Sequence, residues 1–148
     1  MGALTTLYQN LQTLDLKTRV MDIVRETEKD IAEINAFQMY QGKTSEDKEI
    51  EPFYKPLTIA IKREKGQPVN RVTLRDTGAF QDAMKVNVEG MKFTITSSDS
   101  KTKKLVDKYG GEIFGLSPEG KKEYANDYFM PRLQEHIEGH LGVKMVKR

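Results

Sequence analysis

Apolar positions recur at three and four residues along most of this chain, and at two in one place. Leu4, Leu7, Leu11 and Leu14 predict an amphipathic helix over about 3–14. Asp15 offers an N-cap for a second helix, whose stripe is Val20, Ile23, Val24, Thr27, Ile31, Ile34 and Gln38 and whose stop is Gly42. At about 1.5 Å per residue, one unbroken helix here would run roughly 40 Å. That is long for a compact domain of this mass, so part of it is expected to lie against another subunit. Residues 43–55 read as a charged loop. Pro56 then opens a short helix with Leu57, Ala60 and Ile61 on one face, closed by Gly66. Arg71–Leu74 looks extended.

The period changes to two at Met84, Val86 and Val88, and again at Met91, Phe93 and Ile95. This predicts a hairpin at about 83–97. With Glu89-Gly90 as its loop, Val88 faces Met91, Val86 faces Phe93 and Met84 faces Ile95. A lone hairpin is marginal in water, so helices must cover it, and a neighbouring subunit is able to extend it. Ser100 is read as the cap of a helix holding Leu105 and Val106, which stops at Gly110-Gly111. Ile113, Phe114 and Leu116, with Gly115 among them, are too apolar for an idle loop and anchor either the core or a partner. Ser117-Pro118-Glu119 starts a last helix marked by Tyr124, Tyr128 or Phe129, Leu133, Ile137 and Leu141, with a kink expected at Pro131. The expected fold is α+β: a single domain over 1–148 in which a small antiparallel sheet is packed by long N-terminal and C-terminal helices. Residues 1–15 form an arm and 142–148 a basic tail.

Composition narrows the function. A hydrophobic share of 37% and a mean hydropathy of −0.63 are low for a self-sufficient globule. Ordered periods nevertheless argue against disorder. Cysteine is absent, which removes disulfides, thiolate metal sites and thiol nucleophiles and suits a reducing cytoplasm. The first residues carry neither a basic leader nor a long apolar core, so no signal peptide is expected, and a myristoylation signal at Met1-Gly2 is only faintly echoed. No run is long enough to span a membrane.

Charge is segregated although the net is +2. Residues 22–51 carry nine acids and four bases, among them Glu46, Asp47 and Glu49; residues 55–75 carry six bases, among them Lys62, Arg63 and Lys65, and one acid. One reading is two solvated faces. The other is complementary edges that meet between identical subunits and set their register. The basic stretch is also compatible with transient contact to DNA phosphates, without aromatic interleaving or a helix-turn-helix signal for specific readout.

Asp76-Thr77-Gly78 followed by Ala79 and Phe80 admits two chemistries. Aspartic proteases use Asp-Thr-Gly so that two carboxylates share a proton, and a retropepsin-like dimer would take Asp76 from each copy. Arg75 stands where that family has a buried apolar strand, and helices dominate where it has strands. The alternative is a structural turn in which Asp76 bonds local backbone. His136 and His140 share a helix face, but no third ligand completes a metal site, and "HIEGH" lacks the glutamate of a metalloprotease. No cofactor is expected.

The order of parts resembles the tail-completion, or neck, proteins of long-tailed bacteriophages. The likeness rests on the turn Thr77-Gly78-Ala79-Phe80-Gln81-Asp82-Ala83 entering "MKVNVEGMKFTI", and on "YGGEIFGLSPEGKKEY" before the last helix. It departs from the family in its 43–70 insertion and in lacking a tyrosine-alanine segment after the hairpin. The resemblance implies a non-enzymatic virion part, assembled in the bacterial cytoplasm as a homo-oligomeric ring at the head–tail junction beside other neck, connector or tail proteins. On it, Ile113, Phe114, Gly115 and Leu116, with the acidic and basic segments, are candidate interface residues. A small interaction module, such as a toxin–antitoxin or adaptor component, is a third reading.

Overall fold

The computed structural model describes residues 2–146. Helix α1 spans Ala3–Thr13, α2 Leu16–Glu26, α3 Glu28–Tyr40 and α4 Pro56–Glu64. A single turn, α5, covers Ala79–Asp82 and runs into β1 (Met84–Glu89) and β2 (Lys92–Ser97). Helix α6 (Thr102–Tyr109) and a 3₁₀ turn (Gly111–Ile113) lead to α7 (Pro118–Glu123), a π-helical turn (Tyr124–Phe129) and α8 (Met130–Leu141). The fold is a small α+β architecture, as the periodicity predicts. Two strands form one antiparallel sheet, and α2 and α3 pack on β1. The core gathers Ile31, Ile34 and Met39 from α3, Val86 and Ile95 from the sheet, and Phe80, Ile113, Leu116 and Tyr124 from the segments between.

Several local expectations hold. Asp15 Oδ1 accepts from Thr18 N at 3.1 Å, capping α2. Ser117 Oγ accepts from Gly120 N at 3.2 Å, with Pro118 at the first position of α7. Gly42, at φ +76°, stops α3, and Lys43 N closes back on Gln38 O at 3.1 Å.

The expected 40 Å helix is instead two helices joined at Thr27. Thr27 is fully buried, at φ −112° and ψ 18°, and its Oγ1 donates to Ile23 O at 2.7 Å. A threonine hydroxyl that bonds the carbonyl four residues back bends a helix. Here Thr27 Oγ1 also lies 2.8 Å from Tyr124 Oη, tying the bend to the C-terminal helices. The stripe still faces the core from Ile23 to Met39, because the break conserves the face.

The hairpin forms in a different register. Glu89 pairs with Lys92, so Gly90 and Met91 are the loop, with Gly90 at φ +57° where a type II′ turn places its glycine. Val88 therefore faces Phe93, Val86 faces Ile95 and Met84 faces Ser97. The partners shift by two residues, which preserves the inward face but leaves Met91 exposed in the loop.

Pro131 does not interrupt a single α-helix. The turn before it widens to π geometry, so one extra residue is accommodated and both Tyr128 and Phe129 reach the core side beside Tyr124. Ser100 does not cap α6; that helix starts at Thr102, and Asp99 Oδ1 takes Lys101 N at 2.8 Å. Arg71–Leu74 joins no strand. Val72 and Thr73 are buried in irregular backbone, and Leu74 sits at φ +55°. Residues 43–55 are a loop with internal order, in which Lys43 bridges Glu49 and Thr44 N bonds Lys48 O at 2.8 Å. Residues 147–148 of the basic tail, and Met1, lie outside the described residues.

Candidate functional site

The backbone around the Asp-Thr-Gly turn belongs to no sheet or long helix, so side chains from elsewhere must satisfy it. Tyr54 Oη accepts from Thr73 N at 2.8 Å. Gln81 Nε2 donates to Leu74 O at 2.9 Å, Lys62 Nζ to Arg75 O at 2.9 Å and Gln67 Nε2 to Asp76 O at 2.9 Å. Three successive carbonyls are thus each held by a different side chain.

This need explains α4. Leu57, Ala60 and Ile61 share one face, as their spacing predicts, and that face is exposed, while Thr58, Ile59 and Lys62 turn inward. Lys62 is only 9% exposed; its stem crosses the Tyr54 ring and its ammonium sits 5.0 Å from the ring centroid. With that side turned in, Lys62 supplies the donor for Arg75 O, and Leu57 and Ile61 are left on the outer side.

Asp76 itself projects to solvent. Its Oδ1 accepts from Lys65 Nζ at 2.7 Å. That charged hydrogen bond, with Lys101 and Lys62 nearby, holds the carboxyl below its ordinary pKa. The groups that act on Asp76 are therefore cations, which favour a full carboxylate. Thr77 Oγ1 accepts from Ala79 N at 3.3 Å, and Gly78, at φ +92°, turns the chain into α5 against the Arg75 guanidinium. A cleft of about 160 Å³ lies beside this turn, lined by Tyr54, Lys62, Asp76, Phe80, Lys101 and Tyr109 among others.

Phe80 carries the turn into the core. It is buried, its ring centroid lies 5.7 Å from that of Phe114, and its carbonyl accepts from Ser97 Oγ at 2.8 Å. The Thr-Gly turn and the Ile113–Leu116 segment, 35 residues apart in sequence, meet through these two rings.

The Ile113–Leu116 segment is fastened from α3. Asn35 Nδ2 donates to Ile113 O at 3.0 Å and Gly115 N donates to Asn35 Oδ1 at 3.0 Å. One turn on, Gln38 Nε2 donates to Gly115 O at 3.0 Å and Ser117 N donates to Gln38 Oε1 at 2.8 Å. Two side-chain amides thus imitate a strand. Ile113 and Leu116 are buried in the chain's own core and do not form the exposed interface anticipated for them, while Phe114 is half-buried on Phe80. Gly115, at φ +109°, would bring a Cβ to 3.1 Å from Ser45 Cβ, so it serves close packing. The polar residue Gln38 within an apolar stripe was the visible sign of this clamp; Asn35, beside the stripe, gave none.

The charged candidates separate. Lys62 is consumed by the turn and Lys65 by Asp76. Glu46 pairs with Lys48 of its own loop at 2.6 Å, which lowers the Glu46 pKa. Asp47, Glu49 and Arg63 are exposed and carry no ion pair among the described residues.

The histidines serve packing. His140 Nε2 donates to Asn10 O at 2.7 Å and lies 3.0 Å from Thr13 Oγ1, bracing α1 on α8. Its ring stands 6.1 Å from that of His136. Among the described residues no cluster of three metal-ligating side chains occurs, and no helix is long and apolar enough to cross a membrane.

Exposed apolar side chains occur along the whole described chain, Phe37, Tyr40, Met91 and Met130 among them, and on two helices they recur at helical spacing. On α1 they are Leu4 (82% exposed), Tyr8 and Leu11, one stripe at helical spacing. On α4 they are Leu57 (73% exposed) and Ile61, with Phe53 in the loop just before the helix. Comparison with protein-family models, curated proteins and solved structures found no match for this chain.

Proposed function

We propose that this chain is a structural subunit of a tailed-phage neck, a tail-completion protein that joins head and tail as part of an oligomeric ring. The observation that carries the reading is the pair of uncovered apolar stripes on α1 and α4. Each is too apolar to favour water, and they lie on different helices of one chain. Two unlike patches that meet head-to-tail between copies generate a ring when the rotation closes. The junction of Phe80 and Phe114 adds support, because it joins the two segments on which the resemblance to neck proteins rests. The exposed Asp47, Glu49 and Arg63 are then free for subunit or neighbour contacts. Partners on this reading are further copies and other neck, connector or tail proteins, with transient DNA contact from the basic stretch. The location is the virion, after assembly in the host cytoplasm.

The aspartic protease reading is disfavoured by the lysines that hold Asp76 as an anion, because a proton-sharing dyad needs one carboxyl raised. Electron microscopy and native mass spectrometry of the purified protein test the proposal. Closed rings are expected for the wild type and for Asp76→Asn, with rings lost in Leu57→Asp/Ile61→Asp while the melting temperature holds. A protein that stays monomeric at every concentration and cleaves peptides at acid pH only when Asp76 is intact overturns it.

A further inference from the structure

The sheet has two strands, so β1 pairs with β2 on one side only. Ala83 O accepts from Ser98 N at 3.0 Å, which phases the ladder. Lys85, Asn87 and Glu89 direct their backbone groups to β2, and Met84, Val86 and Val88 direct theirs to the open edge. That edge opens into a groove of about 960 Å³, whose other wall is α3 with Ala32, Ala36 and an exposed Phe37. No proline lies in β1, and no strand other than β2 pairs with it among the described residues. A free edge of this kind is a template for another strand.

The sequence of the edge names the occupant. Lys85-Val86-Asn87-Val88-Glu89 is charge-complementary to itself when reversed about Asn87. We propose that β1 of a second copy pairs antiparallel with this edge, around a two-fold axis through Asn87. Val86 and Val88 then exchange N–H···O=C bonds with the partner's Val88 and Val86. Lys85 stands opposite the partner's Glu89 on the exposed face, with Asn87 opposite Asn87. The two hairpins become one four-stranded sheet, long enough to be stable where two strands are marginal. In-register copies placed parallel would set Lys85 against Lys85 and Glu89 against Glu89, so the charges select the antiparallel arrangement. The pairing does not rest on the phage reading: it is a two-fold contact, distinct from the head-to-tail contact of a ring.

Two measurements test it. Asn87→Cys places one thiol per copy in a chain that has none, at a non-hydrogen-bonded pair where the Cα atoms stand about 4.5 Å apart, within disulfide reach. Mild oxidation is expected to give a covalent dimer in high yield, whereas Thr94→Cys on β2 stays monomeric under reducing-agent-free electrophoresis. In sedimentation velocity, Lys85→Glu and Glu89→Lys each self-associate at least tenfold more weakly than wild type, and their equimolar mixture recovers association because opposite charges then face each other. Equal cross-linking at Asn87→Cys and Thr94→Cys, or a mixture no tighter than either variant alone, overturns the proposal. Rings that persist in the charge-reversal variants while their two-fold association is lost are the expected result, because the two contacts are independent.

Discussion

Gln38 and Asn35 show how much one polar side chain decides when it replaces secondary structure. Gln38 satisfies both Gly115 O and the buried Ser117 N. Gln38→Leu keeps the size and removes both bonds, leaving two backbone groups unpaired in the core. The expected loss is about 2–6 kcal/mol in urea unfolding, from ~1–3 kcal/mol per stranded group. A loss below about 0.5 kcal/mol means the segment is held by packing alone. Asp76 offers a second residue-level test. Its folded pKa lies below the ordinary 3.8, chiefly through the Lys65 hydrogen bond. A depressed carboxylate contributes stability above its unfolded pKa and loses it as pH falls through the folded one. The contribution is small because the pair is half-exposed. NMR titration of the Asp76 carboxyl is expected to show a midpoint below 3.8, which Lys65→Met moves upward; an unmoved midpoint excludes Lys65 as the cause.

At the scale of elements, helix breaks and face choices follow from contacts between elements. Thr27 bends α2 into α3 while its hydroxyl meets Tyr124 Oη, a phenol whose pKa burial raises. Thr27→Val and Tyr124→Phe each remove one member of this buried pair with little change of shape. A double-mutant cycle by thermal or urea unfolding is expected to give a coupling of about 0.5–1.5 kcal/mol, the range of a buried neutral hydrogen bond. Additive losses would mean that the two hydroxyls do not stabilise each other. The π turn before Pro131 belongs to the same logic. A proline cannot donate, and a widened turn both tolerates that and brings two adjacent aromatics to one side.

Across the whole molecule, core and surface divide unevenly. The sheet, α3 and the 113–117 segment form a tight centre, while α1 and α8 bury no residue fully. The stripes on α1 and α4 and the open edge of β1 are three separate surfaces with unmet needs. The ring reading uses the stripes and the two-fold reading uses the edge, so their variants separate them. Leu57→Asp/Ile61→Asp is expected to dissolve rings and spare the Asn87→Cys cross-link, and the charge reversals on β1 do the opposite.

What the residues determined alone was whatever is decided within a few positions: the Asp15 and Ser117 caps, the stop at Gly42, Pro56 at a helix start, the existence of the hairpin and the inward face of its strands. These depend on φ, on a missing N–H or on a hydroxyl reaching its own turn, and all are legible from neighbours in sequence. Only tertiary structure decided the rest. It turned Lys62 inward, where its ammonium donates to Arg75 O thirteen positions away, and left Leu57 and Ile61 outside. It placed Ile113 and Leu116 in the core rather than on an interface, because Asn35 and Gln38, some 80 positions away, supply the hydrogen bonds that a buried loop requires. It tied the break at Thr27 to a tyrosine nearly a hundred residues later, whose hydroxyl lies 2.8 Å from that of Thr27. Such partners have no signature in the local pattern, since what selects them is the free energy of leaving a buried polar group unpaired, and that depends on what the rest of the chain brings beside it.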